Sequence, residues 1–315
     1  MRILRMLAIW MAGLGLAAAA SPLTVVLDYL PNANHAPLYL AAEGGSFSAE
    51  GLAVDFWIPA NASDPVKLVA AGAADLALTP QINYLMARAE GLPLVAVGAL
   101  IDQPLGGLLA LAESGVAAPA DLAGRPIGYS LAPLEPALWR TMLECAGVSP
   151  RAVDLVNVGF NAVQALLTGS VAAIGAFRNV ELLQVELLGR AVVFFPEEDF
   201  CVPATFDLLW VARSDVLAAR GDEVRGFLAA VDVAVEVSRA APDEALTALF
   251  GAFPELDDEL SRRSFAATIP LYADGLRHDD EATWDAVQRF LVAQGLMQEP
   301  LPYADLVDTT FLPMP

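Results

Sequence analysis

Short apolar runs alternating with helix-like segments, in two successive sets, most narrow the folds open to this chain. Leu23–Tyr29, Ala53–Ile58, Asp75–Thr79, Leu94–Leu100 and Gly107–Leu111 are rich in Val, Leu and Ile, with helical segments such as Ala36–Glu43 and Pro65–Ala71 between them. Arg125–Ser130, Val153–Val158, Ala172–Phe177 and Ala191–Phe195 form the second set, interleaved with Pro136–Ala146 and Asn161–Thr168. A strand covered by helices on both faces has no solvent side, so it reads as a near-continuous apolar run. Repeated units of this kind predict an α/β architecture with parallel sheets. From Asp215 the pattern becomes helical: Val216–Ala219, Glu223–Ala240, Asp243–Phe250, Glu255–Ser264 and Asp280–Gln294, punctuated by Pro254 and Pro270. Two α/β lobes follow, lobe one from residues 21–108 and 208–315, lobe two from residues 109–207. The chain crosses near Gly106–Leu111 and returns near Val202–Trp210, which makes a two-crossover hinge with a cleft between the lobes.

The first twenty residues form a separate object. Arg2 and Arg5 precede the apolar run Met6–Leu16 and the small residues Ala17–Ala20, the pattern of a secretory signal peptide with cleavage before Ser21. No cysteine follows the apolar run, so the expectation is a periplasmic protein that carries no lipid. The chain has 38 acidic and 17 basic residues and a formal net charge of -21, with Lys67 its sole lysine. That balance excludes the basic face a nucleic-acid or membrane-surface binder needs. Cys145 and Cys201 make no disulfide framework, Cys145 reading as a buried small hydrophobe and Cys201 as a loop residue. Two histidines leave no room for a multi-histidine metal site, and His278, between Arg277 and Asp279, reads as solvated surface. Glu197-Glu198-Asp199 lacks the spaced oxygens of a calcium loop and reads as a solvated turn.

In open α/β sheets ligands sit beyond the carboxyl ends of the strands. That rule selects Asp28–His35, Thr79–Tyr84, Tyr129–Glu135, Gly159–Asn161 and Phe177–Glu181. The first packs Asp28, Tyr29, Asn32 and His35 into one loop, able to stack a flat ring on the tyrosine and hydrogen-bond its edge. Turn formation and helix capping are the plainer roles for its asparagines. Glu181 opens a helix, where the dipole favours an acid in any case. A carboxylate there also accepts from an exocyclic amine and a protonated ring nitrogen together, which selects an aminopyrimidine. Gln81, Tyr129 and Asn179 complete the candidate ligand-binding set. There is no GxSxG elbow, HExxH or phosphate-loop motif.

Leu27-Asp28-Tyr29-Leu30-Pro31-Asn32-Ala33-Asn34-His35 resembles the opening motif of the thiamine-pyrimidine-precursor family (NMT1/THI5-like), as do Asp64–Gly72, Ala87–Pro93, Phe177–Leu182 and Pro196–Glu198. The family joins periplasmic binding proteins of ABC transporters with a pyridoxal-phosphate-dependent pyrimidine synthase. The resemblance implies a type II periplasmic-binding-protein fold that captures a hydroxymethylpyrimidine or formylaminopyrimidine. Its implied partners are an inner-membrane ABC permease and its ATPase, with the protein itself a monomer. The synthase branch holds its cofactor on a lysine and has a histidine four residues later; Thr79 and Asn83 stand at the similar positions here. Its glycine-bearing phosphate loop is replaced by Ser130-Leu131-Ala132-Pro133, and its cysteine-rich run is reduced to Cys201. These departures imply a binding protein with no cofactor and no catalytic residue. The alternatives are a pyridoxal-phosphate-dependent synthase-like enzyme or, since related sulfonate- and nitrate-type binding proteins share the broad fold, a binding protein for a different small solute.

Overall fold

The computed structural model describes residues 21–313; the predicted signal peptide Met1–Ala20 lies outside the described residues. Ten strands make two five-stranded sheets. Strands β1 (Leu23–Val26), β2 (Val54–Trp57), β3 (Leu76–Thr79) and β4 (Leu94–Ile101) enter the first sheet, β5 (Gly106–Leu111), β6 (Pro126–Tyr129), β7 (Asp154–Asn157), β8 (Ala173–Phe177) and β9 (Val192–Pro196) the second, and β10 (Leu208–Arg213) returns to the first. The strand orders are β2-β1-β3-β10-β4 and β7-β6-β8-β5-β9.

Both sheets are mixed, which corrects the expectation of purely parallel ones. β1 pairs parallel with β2 and β3, while β10 lies antiparallel between β3 and β4. In the second sheet β6 pairs parallel with β7 and β8, and β5 is antiparallel to both β8 and β9. In each sheet the reversed strand is the one that arrives directly from the other sheet. A strand entering from across the cleft must run away from it, whereas strands reached through a covering helix run toward it. The sequence reading treated Val202–Trp210 as a crossing and so missed β10, whose Trp210 is fully buried and packs edge-on against Phe227 at 5.0 Å.

The crossings are Asp102–Leu105 and Glu197–Asp207. β5 pairs in full within the second sheet, so the first crossing precedes the expected boundary at 108. We place the division between lobes at these two segments. They are tied together: the Asp207 carboxylate accepts from the Leu105 N–H at 2.5 Å.

Most of the helical tail covers the first sheet. Ser214–Ala240 is continuous where two helices were expected, with one non-helical residue, Arg220, inside it. Arg220 leaves the helical conformation while bonding Asp75 at 2.7 Å and the Ser21 carbonyl at 2.9 Å. Apolar burial holds this layer: Phe47 stacks on Phe227 at 5.3 Å, and each such side chain contributes roughly 1.5–3 kcal/mol when removed from water.

Two surface expectations are also corrected. His278 is wholly buried, its ring bonded to the Ala96 carbonyl at 3.2 Å, because the segment Tyr272–His278 folds back along β4. Burial pushes its imidazole down to about 4. Cys145 is exposed rather than buried and forms a disulfide with Cys201, the Cα atoms 5.9 Å apart. The bond pins the helix Leu134–Cys145 of lobe two to the returning crossing.

Candidate functional site

A cavity lies between the sheets, in the cleft the carboxyl-end rule marks out, with about 940 Å³ of space between atoms including its mouth. Lobe one contributes the loop after β1 and the first turn of the helix Gln81–Ala89. Lobe two contributes the segment after β6, the end of β8 and the start of the helix Glu181–Leu187. The start of β5 at Gly106 and the returning crossing, through Glu197, Thr205 and Asp207, close the bottom of the cleft.

The loop after β1 is built by its own polar groups. The Asn32 side chain accepts from the Asn34 N–H at 2.9 Å and donates to the Leu30 carbonyl at 3.1 Å. His35 Nδ1 accepts from the Asn32 N–H at 3.2 Å, so the proton sits on Nε2, which donates to Asp28 at 2.8 Å. Asp28, Tyr29 and Asn32 line the cavity, whereas His35 is fully buried behind them and fixes Asp28. Gln81 exchanges hydrogen bonds with the Phe206 backbone at 3.1 and 3.2 Å, which leaves its Nε2 buried on a cavity-lining residue with no partner.

Across the cleft Glu181 lines the cavity and accepts from the Phe177 N–H at 2.8 Å. Burial, reinforced by Asp28, raises its carboxyl above the usual range. Two candidates stand elsewhere. Tyr129 is half-buried at the end of β6 and is not among the lining residues. Asn179 is buried outside the cavity and joins the lobes: its Nδ2 donates to Asn34 Oδ1 and to Thr268 Oγ1, each at 2.7 Å. The one proton of the Thr268 hydroxyl has two acceptors within reach, the Ser264 carbonyl at 2.8 Å and the Asn34 amide oxygen at 3.0 Å. Nearby, Tyr29 packs edge-on against Phe160 of lobe two at 4.6 Å.

Sequence reasoning missed the most unusual property of the cavity. Besides Asp28 and Glu181 it is lined by Glu135, Glu197 and Asp207, and among the described residues lining it none is Lys or Arg. The Glu135 carboxylate accepts from the Ser130 N–H at 2.6 Å, and burial pushes its carboxyl up to about 7. Burial likewise pushes Asp207 up to about 7 and Glu197 well above the ordinary range, the two acids also repelling each other. Glu197 is 5% exposed, which corrects its assignment to a solvated turn. Arg178, the cation close to this pair, places its Nη2 on both oxygens of Glu198 at 2.7 and 2.8 Å. Trp139 adds an indole whose N–H has no partner. β8 makes room for this wall at Gly175, where a Cβ would lie 2.6 Å from the Trp139 ring and 2.9 Å from a Glu135 oxygen. A usable signal was present: Asp207 stands alone in the apolar stretch Phe206–Trp210, where an acid needs a reason.

Two mixed α/β sheets, joined by two crossings around a lined cleft, are the type II periplasmic-binding-protein fold. The alkanesulfonate-binding protein of Xanthomonas axonopodis pv. citri, solved with MOPS, superposes with a TM-score of 0.75 at 18% identity, over 93% of this chain and 100% of that one. The chain belongs to the NMT1/THI5-like family, whose model matches residues 32–245. A Haemophilus influenzae protein named for thiamine biosynthesis is 36% identical over 286 residues, 90% of each chain. The formylaminopyrimidine-binding protein of Halalkalibacterium halodurans is 30% identical over 295 residues, 91% of this chain and 89% of that one. A 4-amino-5-hydroxymethyl-2-methylpyrimidine phosphate synthase of Legionella pneumophila is 25% identical, over 95% of each chain.

Proposed function

We propose that the protein is the exported ligand-capturing component of an ABC importer, and that it takes up an aminopyrimidine precursor of thiamine. The observation that carries this reading is the cavity wall: five carboxylates and three aromatic side chains, Tyr29, Trp139 and Phe177, with no cationic residue among them. Such a wall suits a flat ring rich in N–H donors. In this reading Tyr29 covers the ring face, Asp28 and the Asn32 loop hold one edge, and Gln81 donates to a ring acceptor. Glu181 takes the exocyclic amine and the adjacent ring nitrogen. A carboxyl held above its ordinary value shares a proton with a weakly basic ring nitrogen without stranding a charge. Since lobe one and lobe two both supply contacts, ligand favours the closed arrangement over the open one. Glycine at position 175 keeps Trp139 and Glu135 in place on the opposite wall.

Export is supported by the signal-like first twenty residues and by the exposed Cys145–Cys201 disulfide, a bond that persists in oxidising compartments. No helix among the described residues is long and apolar enough to cross a membrane. Pyridoxal phosphate chemistry of the synthase kind does not fit these residues. Thr79 and Asn83, at the positions that resemble the lysine and histidine of that branch, bond each other at 3.2 Å. Lys67 is exposed and donates to Ser63 at 3.1 Å. A phosphate would also face the carboxylates. The test is titration calorimetry with hydroxymethyl- and formylamino-pyrimidines, with taurine and nitrate as controls. Saturable binding of a pyrimidine alone is expected; binding of taurine or nitrate in its place refutes the assignment.

A further inference from the structure

We infer that Glu197 and Asp207, at the floor of the cleft, form a subsite for a primary ammonium group, so that the preferred ligand is an aminopyrimidine with a cationic aminomethyl arm. This rests on the aminopyrimidine reading above and goes beyond it by naming the second functional group. The two acids come from the same returning crossing and are near enough that Asp207 raises the Glu197 carboxyl, and Glu197 lies beside Gly106, where a Cβ would lie 2.5 Å from a Glu197 oxygen. The glycine therefore lets the carboxylate lie against the strand that begins lobe two. Glu197 and Asp207 are 5% and 6% exposed, and both line the cavity.

Their hydrogen bonding is incomplete. Asp207 accepts once, from the Leu105 N–H. The Glu197 carboxylate takes part in no hydrogen bond among the described residues, although its chain neighbour Glu198 holds Arg178 through both oxygens. The Glu197 oxygens are open to the cavity, so a ligand that covers them must supply a partner or leave the acid to take up a proton. The groups facing this floor are Glu135 from the helix Leu134–Cys145, Asp28 from the loop after β1, Gln81, and Arg178, which is already engaged. Four acids surround one occupied cation, so the floor has an excess of acceptors and negative charge. Gln81, fully buried with a free N–H on Nε2, supplies a donor beside them that a ring nitrogen can meet while an ammonium group meets the acids. A hydroxymethyl arm offers one donor and no charge, and a formylated arm offers one donor and brings a carbonyl oxygen toward carboxylates. An ammonium offers three donors and a full charge.

Titration calorimetry at neutral pH tests this with three 4-amino-2-methylpyrimidines that differ only in the 5-substituent: aminomethyl, hydroxymethyl and formamidomethyl. The aminomethyl compound should bind about tenfold or more tightly than the other two, in line with charge-assisted hydrogen bonds. Glu197→Gln should remove most of that preference, weakening the aminomethyl compound more than the hydroxymethyl one, since it deletes charge and little shape. Asp207→Asn, which keeps an acceptor for Leu105, should act in the same direction. Thermal melts establish that each variant is folded. Equal or weaker binding of the aminomethyl compound, or an unchanged preference in both variants, overturns the subsite and leaves the aminopyrimidine reading standing. Failure of all three pyrimidines to bind overturns both.

Discussion

Asn179 is the residue through which closure can be separated from ligand chemistry. It stands on lobe two, and its amide reaches Asn34 and Thr268 of lobe one at 2.7 Å each. All three side chains are buried, so these bonds exist only while the lobes are together. Asn179→Ala removes both, and the contact between Asn34 and Thr268 lies within lobe one, so it is the same in either arrangement. A net hydrogen bond contributes about 0.5–1.5 kcal/mol, so the closed arrangement loses about 1–3 kcal/mol relative to the open one. If the closed form is the one that retains ligand, apparent affinity falls about five- to a hundredfold. The distinguishing property is uniformity: a lobe-joining residue weakens every ligand by the same factor, whereas a ligand contact changes the ratio between ligands. Calorimetry with two pyrimidines, paired with small-angle scattering of the variant, measures both. Wild-type affinity in Asn179→Ala, or an altered ratio between the ligands, would refute the assignment of Asn179 to closure.

Glu181→Gln keeps shape but loses charge, so aminopyrimidine affinity should drop about ten- to a hundredfold by calorimetry, hydrogen bonds to charged groups contributing roughly 1.5–3 kcal/mol. Tyr29→Trp should retain binding where Tyr29→Ala loses it, if the ring face is what the residue supplies. Gly175→Ala forces Trp139 or Glu135 to move, and overpacking of this kind costs about 1–3 kcal/mol; a lowered melting temperature with weakened binding is expected. His278, held at about 4 against an ordinary 6.5, contributes stability that is complete above pH 6.5 and is lost as pH falls toward 4. At 1.36 kcal/mol per pH unit that contribution is about 3 kcal/mol. His278→Gln, which keeps a donor for the Ala96 carbonyl, should flatten this acid limb in denaturant titrations; an unaltered limb would count against it. The Cys145–Cys201 bond closes a separation of 56 residues, and reducing it should lower stability by up to about 4 kcal/mol on the chain-entropy view.

Much of this molecule was readable from apolar patterning. Nine of the ten strands fall within one or two residues of the expected runs except at the end of β1, which stops at Val26 so that Asp28 and Tyr29 can turn into the cleft. Strand direction was not readable, because a buried antiparallel strand and a buried parallel one carry the same apolar run. β10 escaped for the same reason: Leu208–Arg213 carries no turn residue to distinguish a crossing from a strand. At the site, the post-strand rule placed Asp28, Tyr29, Asn32, Gln81 and Glu181 on the cavity. It could not tell that His35 would face inward to hold Asp28, or that Asn179 would point past the cavity to the other lobe, because both follow from side-chain direction. Glu197 was misjudged because a run of three acids resembles a solvated turn, and only the return of the chain beneath the cleft buries the first of them. The cysteines were misjudged because a separation of 56 residues says nothing about proximity.

The fold does not set the charge of a ligand, and the proposed reading assigns that choice to the cavity wall. The structural neighbour from Xanthomonas axonopodis pv. citri is an alkanesulfonate-binding protein solved with MOPS. Two unit charges about 5 Å apart interact by about 3 kcal/mol at an effective dielectric of about 20. A sulfonate placed in this cavity would meet such repulsion from each ionised acid among Asp28, Glu135, Glu181, Glu197 and Asp207. Even two ionised acids would then cost about 6 kcal/mol, most of the roughly 8 kcal/mol that a micromolar ligand gains on binding. Protonation of the acids would relieve the repulsion, but would leave their hydroxyls facing the anion in place of a cationic clamp. Fold alone leaves the ligand open. In the reading proposed above, the acids lining this cleft favour ligands that bring donors and positive charge.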